Sequence, residues 1–373
     1  MKKIIITGIL GQDGANMAEY LLSLYDEFSR ALDSRWFGSE HFPINVTGND
    51  YEVYGMMRRS ANPNFKNIEK IKNHPRFNLQ FLDLGDTTSI DTAVKEIQPD
   101  YFINFAANSF VGISWKMPEQ VMDVNALGVL RCLEAVRKFK PDCRFYSAGS
   151  SEEWGDVDYS PQDIDHPIKP RSPYGASKAA ARHLVKVYKE SYDMFAVHGI
   201  LFNHEGTKRG EEFVTRKISK GIARIKYGLD NGQSPDAIEL GNLDAKRDWS
   251  DSRDFVEGVW LMLNQESPKD YILSSGETHS IREFIEKAFA VAGINGSWRG
   301  KGLDEVFETE DQTLVRVNPK FYRPADVDLL LGDSTPIRKE LGWEPKISFD
   351  KLVESMVNYD IDETRRDQMS TPS

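Results

Sequence analysis

A chain of 373 residues with 40% apolar and 11% aromatic side chains can bury a full core, which excludes a disordered polypeptide and leaves room for two lobes sharing a cleft. Its formal net charge of −11 repels polynucleotides and anionic membranes, so neither is expected as a partner, and an anionic small molecule must be met by local basic groups. Two cysteines, Cys132 and Cys143, make no disulfide framework and fit a reducing, cytoplasmic compartment.

The opening Lys2-Lys3-Ile4-Ile5-Ile6 has too short an apolar run for a signal peptide. No stretch reaches the roughly 18 apolar residues that would suggest a membrane span. The histidines form no H-x-x-x-H or Cys/His cluster, so no metal site is expected.

In chain order, the first two-thirds alternates short apolar runs with helical periods. This predicts an α/β, Rossmann-like doubly wound parallel sheet. A strand at 3–7 leads through a glycine turn into a helix reaching about residue 25. Strands follow at 51–57 and 78–82, then a near-continuous apolar run at 101–107, as a buried parallel strand requires. Val121, Val124, Leu127, Leu130, Leu133 and Val136 mark a helix over 121–139. Strand 144–148, a loop rich in Asp and Pro, helix 173–191 and strand 195–202 complete a first lobe over 1–203.

Beyond it, helices at 211–227, 252–264, 280–292 and 349–360 interleave with strands at 237–240, 271–274 and 314–317. Residues 204–373 thus read as a smaller, mainly substrate-binding α/β lobe with some crossing back. Asp26 to Asp50 is an insertion where a short turn usually suffices, and its sequence assigns it no role.

The turn Thr7-Gly8-Ile9-Leu10-Gly11-Gln12-Asp13-Gly14 between strand and helix is a dinucleotide-binding turn in its expected setting. Gly8 turns the chain off the strand, Gly11 lets the backbone approach a pyrophosphate at the helix N-terminus, and Gly14 allows close helix–strand packing. The second strand ends in Arg58-Arg59 with no competing acid, which favours the 2′-phosphate of NADP over NAD; a solvated basic pair is the plainer reading. Asp83-Leu84 closes the third strand where adenine would lie, and Ala106-Ala107 ends the fourth with room for a cofactor.

Tyr174 and Lys178 are four residues apart on a helix and share a face. The ammonium is expected to lower the phenol's pKa and make it a usable base. Ser150, at the end of the fifth strand, can bond a substrate alcohol and share its proton with Tyr174. Glu152 exceeds the needs of simple oxidation or reduction. A dehydratase needs it, because oxidising carbon 4 of a hexose acidifies the carbon 5 proton, which a carboxylate can remove as water leaves carbon 6. Glu153 reads as a solvated loop acid, and His204 as structural.

These residues lie within motifs that resemble the GDP-mannose 4,6-dehydratases of the extended short-chain dehydrogenases. They include Thr-Gly-x-x-Gly-Gln-Asp-Gly at 7–14, Arg-Ser-Pro-Tyr at 171–174, Gly-Ile-Leu-Phe-Asn-His-Glu at 199–205 and Tyr-Arg-Pro-Ala at 322–325. The resemblance implies Ser150, Glu152, Tyr174 and Lys178 as catalytic partners, with Gln12 and Asp13 in the cofactor turn. It implies Asn203, Arg247 and Arg323 at the sugar diphosphate, Val214, Lys217 and Asp326 towards guanine, and Ser109 at the substrate. Arg209 would lie near the cofactor at a contact between subunits, implying a homo-oligomer, dimer or tetramer.

Departures are Ser150 for threonine, Asp326 for glutamate, Phe110 for histidine, and Glu153-Trp154 for Leu-Tyr. Read as changes near the sugar, they leave a GDP-heptose 4,6-dehydratase as a rival. An epimerase or reductase of the same fold and a non-catalytic NADP-binding protein are more distant alternatives.

Overall fold

The computed structural model describes residues 1–24, 51–321 and 329–370. The insertion at Asp26 to Asp50 lies outside the described residues. The main sheet has seven parallel strands in the order β11-β6-β5-β4-β1-β2-β3. Here β1 is Lys2–Thr7, β2 Tyr51–Met57, β3 Phe77–Phe81, β4 Tyr101–Asn104, β5 Arg144–Ala148, β6 Ala196–Leu201 and β11 Ile272–Leu273. The strand order reverses between β1 and β4, and a doubly wound sheet opens its ligand crevice beyond the carboxyl ends of strands at such a point. The doubly wound class expected from the alternating pattern is the one observed.

Alternation along each strand divides the core into two layers. Ile4, Ile6, Ile103, Tyr146 and Val197 face helices Gln12–Ser23 and Ser252–Leu263. Ile5, Phe102, Phe145 and Ala196 face helices Thr87–Ile97, Gly128–Phe139 and Pro173–Tyr192. Phe102 and Phe145 are fully buried with ring centroids 5.4 Å apart, and burying such a side chain contributes about 1.5–3 kcal/mol.

Several elements differ from the sequence reading. Thr87–Ile97 is a helix that the reading passed over, although Ile90, Ala93, Val94 and Ile97 make a helical stripe and Asp86 caps it by accepting from the Thr88 and Ser89 amides. The helix expected over 121–139 begins at Pro118 and passes through a π-helical turn, Asp123–Leu127. Asp83-Leu84 and Ala106-Ala107 lie just past strand ends that come earlier than expected. The last helix runs Phe349–Ser370 rather than stopping near Asp360. Asp360 is buried there, 2.8 Å from Arg216 and hydrogen-bonded to Ser219, so a polar residue read as an exit is a packed position.

The second hydrophobic core packs helices Val214–Asp230, Ile281–Val291 and Phe349–Ser370 against a four-stranded sheet ordered β13-β14-β15-β8. Its strands are Ser297–Arg299, Val306–Glu308, Thr313–Val317 and Ile238–Leu240 for β13, β14, β15 and β8. Between the cores run very short strands: β7 (Asn203–Glu205) beside β10 (Trp249–Asp251), and β9 (Lys246–Arg247) beside β12 (His279–Ser280) and β16 (Leu329–Leu330). The chain crosses back into the first lobe through helix Ser252–Leu263 and through β11 at the edge of the main sheet.

Candidate active site

One cleft of about 1350 Å³ runs from the carboxyl ends of β1 and β4 to the second lobe. Its floor is the glycine turn. Gly8 has φ +69°, and a Cβ there would lie 2.9 Å from the Ala106 amide nitrogen. On Gly14 a Cβ would meet the Gly8 carbonyl oxygen at 2.4 Å, so only glycine allows this helix to start so close to the strand. The Gly11 amide donates to the Gly8 carbonyl oxygen at 2.9 Å, and Gly11 precedes the first residue of helix Gln12–Ser23. A bare backbone cradle at a helix N-terminus fits a pyrophosphate.

Gln12 and Asp13 also tie the lobes together. The Gln12 amide donates to the His204 carbonyl at 3.0 Å, and His204 Nε2 lies 3.0 Å from Asp13 Oδ2. Burial pushes the Asp13 carboxyl up, yet His204 and Arg209 hold it below its ordinary value. Burial pulls His204 down, and Asp13 raises it overall.

Of the basic pair after β2, Arg58 lines the cleft and Arg59 is exposed outside its lining. Asp83, Leu84, Ala106, Ala107 and Ser109 all line it. The loop after β4 is fixed by Asn125, in the π-helical turn. Its side chain accepts from the Asn108 amide at 2.8 Å and donates to Ser177 at 3.1 Å. The sequence reading missed Asn125, because only the π turn aims it at the loop.

Beyond β5 the chain turns through Ser150–Glu153. Ser150 and Glu152 are partly exposed to the cleft. The turn abuts helix Pro173–Tyr192, which Ser172 caps by accepting from the Gly175 amide at 3.0 Å. That helix brings Tyr174 and Lys178 to the same wall. Tyr174 is hydrogen-bonded to Ser150.

Two electrostatic expectations are corrected. Burial raises the Tyr174 phenol well above its usual pKa, and Ser150 and Arg209 offset only part of this. Lys178 does not lower it as expected: its ammonium donates to the Ala148 carbonyl at 2.7 Å and lies 5.9 Å from the Tyr174 ring centroid. Burial brings Lys178 itself down to about 8, against the opposing carboxylates of Glu153 and Asp13.

The second correction is Glu153, which is fully buried rather than solvated. It accepts from the Ser150 amide at 2.9 Å and lies 2.8 Å from buried His198. Trp154 is fully buried as well, so neither residue of this departure lines the cleft. Phe110 does line the cleft, edge-on to Phe213 at 5.9 Å.

The far wall comes from the short strands between the cores and from the second lobe. β7 supplies Asn203, whose Oδ1 is buried without a hydrogen-bond donor among the described residues. Arg209 lies 3.0 Å from Glu205 and stacks 3.5 Å from the Phe213 ring centroid, within the cleft. Val214 opens helix Val214–Asp230, and Lys217 one turn on lies 3.6 Å from the centroid of Phe321. Burial lowers Lys217, with Glu239 opposing. Arg247, on β9, is buried and donates to the Lys246 carbonyl at 2.8 Å. Arg323 and Asp326 lie outside the described residues.

A reversing parallel sheet, a G-x-x-G-x-x-G turn and a Tyr-x-x-x-Lys helix opposite a second lobe define an extended short-chain dehydrogenase/reductase. The family described as GDP-mannose 4,6 dehydratase matches residues 40–356. The chain belongs to that family. It is 40% identical over 379 residues to a GDP-mannose 4,6 dehydratase of Drosophila melanogaster, covering 99% of this chain and 88% of the relative. It is also 40% identical over 368 residues to the Homo sapiens protein of that name, covering 96% and 91%.

Among solved structures, dTDP-glucose 4,6-dehydratase from Bacillus anthracis in complex with NAD superposes with a TM-score of 0.75 at 18% identity, covering 98% of each chain. RMD from Pseudomonas aeruginosa complexed with NADPH gives 0.71 at 20% identity, covering 97% and 100%. At these identities the structural likeness concerns the fold.

Proposed function

We propose that the chain converts GDP-mannose to GDP-4-keto-6-deoxymannose and water, with NADP as its resident cofactor, and that it works as a homo-oligomer in the cytoplasm. The observation that carries this reading is the convergence of Ser150, Glu152, Tyr174 and Lys178 on one cleft wall, opposite Asn203, Lys217 and Arg247. The backbone cradle of Gly8, Gly11 and Gly14 would hold the pyrophosphate, Arg58 the 2′-phosphate, and Lys178 the nicotinamide ribose. Held there, NADP would supply reversible hydride chemistry, between carbon 4 and carbon 6 of the sugar, without net consumption of the cofactor.

The chain's own residues handle the protons. Tyr174 takes the proton of the 4-hydroxyl while Ser150 holds that oxygen. Glu152 removes the acidified carbon 5 proton and passes it to the departing carbon 6 hydroxyl, which leaves as water. When carbon 6 regains the hydride, the proton held by Tyr174 is returned to carbon 5 and the phenol is reset. The buried phenol is a reluctant acid in the described structure, so its activation requires positive charge nearby, of which Arg209 supplies part. Residues 1–203 would then serve mainly the cofactor and 204–373 mainly the GDP-sugar.

Support for assembly comes from exposed apolar side chains, Leu127 in the π-helical turn and Val187 and Tyr192 on the helix Pro173–Tyr192 packed beside it. No helix among the described residues is long and apolar enough to cross a membrane. The deciding experiment incubates the protein with GDP-mannose, with and without added NADP, and weighs the product. Loss of one water without net cofactor reduction is expected; unchanged GDP-mannose in the presence of NADP overturns the substrate assignment.

A further inference from the structure

Behind the turn that carries Ser150 and Glu152 lies a cluster of charged groups that the dehydration scheme does not use. Glu153 Oε1 accepts from the Ser150 amide at 2.9 Å and lies 2.8 Å from His198 Nε2 on β6. Its Oε2 faces Arg182 Nη1 at 3.9 Å, on the helix that also carries Tyr174 and Lys178. Glu153 and His198 are fully buried, and neither lines the cleft. Three elements that must stay in register for the chemistry therefore meet at one carboxylate.

Burying a carboxylate this deeply is unfavourable unless it is paired and hydrogen-bonded, so an apolar side chain would be the cheaper filler. The backbone is fitted to the pair: a Cβ on Gly149 would come within 2.3 Å of His198 Nε2.

We propose that Glu153, locked by His198, is a positioning residue that holds the Ser150–Glu152 turn against the Tyr174–Lys178 helix in the geometry dehydration requires. The inference rests on the catalytic reading above. A purely structural filler would not act on the proton chemistry, whereas this carboxylate does, because it favours the protonated forms of both Tyr174 and Lys178. The charged and titratable groups around it are His198 on β6, Arg182, Tyr174 and Lys178 on the helix, Tyr146 on β5, and Glu152 beside it. From the loop after β7 Arg209 acts on the Tyr174 phenol, and from the glycine turn Asp13 acts on the Lys178 ammonium.

Glu153→Gln keeps the shape and an acceptor for the Ser150 amide but removes the charge. In the folded, NADP-loaded enzyme, kcat for GDP-mannose dehydration is expected to fall about 100-fold with KM little changed, as for a misplaced catalytic group. Removing the negative charge lowers both the Tyr174 and Lys178 pKa values, so the kcat–pH profile should also move to lower pH. Glu153→Asp keeps the charge but shortens the reach to Ser150, and should lower kcat with the profile in place.

Wild-type kcat and a superimposable profile in folded Glu153→Gln overturn the inference. If that variant does not fold, wild-type kcat in Glu153→Asp overturns it instead. Tyr174→Phe separates the two readings. An active Tyr174→Phe refutes the catalytic reading itself, whereas an inactive one beside a wild-type Glu153→Gln refutes only the role of Glu153.

Discussion

The two walls of the cleft are built by different means. On the first lobe, contacts are set largely by backbone: glycines at 8, 11 and 14, small residues at 106 and 107, and a capped helix that fixes Tyr174 and Lys178 together. On the opposite wall they are set by single side chains, Asn203 on a three-residue strand between the cores, Arg247 on a two-residue strand and Lys217 on the helix Val214–Asp230. A backbone-built wall tolerates little change because each position is sterically determined, while a wall of separate side chains can be altered one contact at a time. Chemistry shared across a fold class belongs on the first kind of wall, and substrate choice on the second.

Variants on either side can break or sharpen that division. The largest effect is expected for Tyr174→Phe. Product formation should fall by about 10²–10⁴, the usual contribution of acid–base catalysis, while NADP binding measured by calorimetry stays close to wild type. Equal loss of binding and turnover would mean that the catalytic and cofactor contacts are not separable.

Next comes Arg58→Ala, which removes a charge-assisted pair to the 2′-phosphate and should weaken NADP binding by about 10–100-fold. Arg59→Ala should leave it nearly unchanged, since Arg59 stands outside the cleft lining. Equal losses would restore both arginines to the cofactor site.

A pH titration tests Lys178. Burial holds its ammonium down to about 8, so raising the pH through that value discharges it. Above that point kcat should fall by about tenfold per pH unit, as for loss of a single required proton, and below it kcat should not depend on this group. Retention of full activity well above pH 8 would show that the charge is not required.

The smallest effect is expected on the second wall. Lys217→Ala removes one contact and should raise KM for GDP-mannose about fivefold with kcat nearly unchanged. A comparable loss in kcat would place the catalytic geometry under second-lobe control and end the comparison.

Features carried by contiguous residues were legible in the chain. The strand–glycine turn–helix unit and the Tyr174–Lys178 pair depend on spacing within a few residues, and period-2 and period-3.6 patterns located most strands and helices within a few residues. The proposed catalytic set could be assembled because each member lies at a strand end or helix start, where doubly wound folds place their chemistry.

Glu153 could not be read this way. Two adjacent acids in a polar loop look alike in sequence, and only the approach of His198, 45 residues away, sends one inward while its neighbour faces the cleft. The Tyr174 pKa was misjudged for the same reason: local spacing put a cation beside the phenol, but the fold turned that cation onto the Ala148 carbonyl and buried the phenol. Local pattern, together with the family resemblance its motifs carry, thus pointed to the chemistry proposed for this chain. Tertiary packing decided which arginine meets the cleft, which glutamate is buried and what charge each group bears, because desolvation and ion pairing depend on neighbours brought from distant parts of the chain.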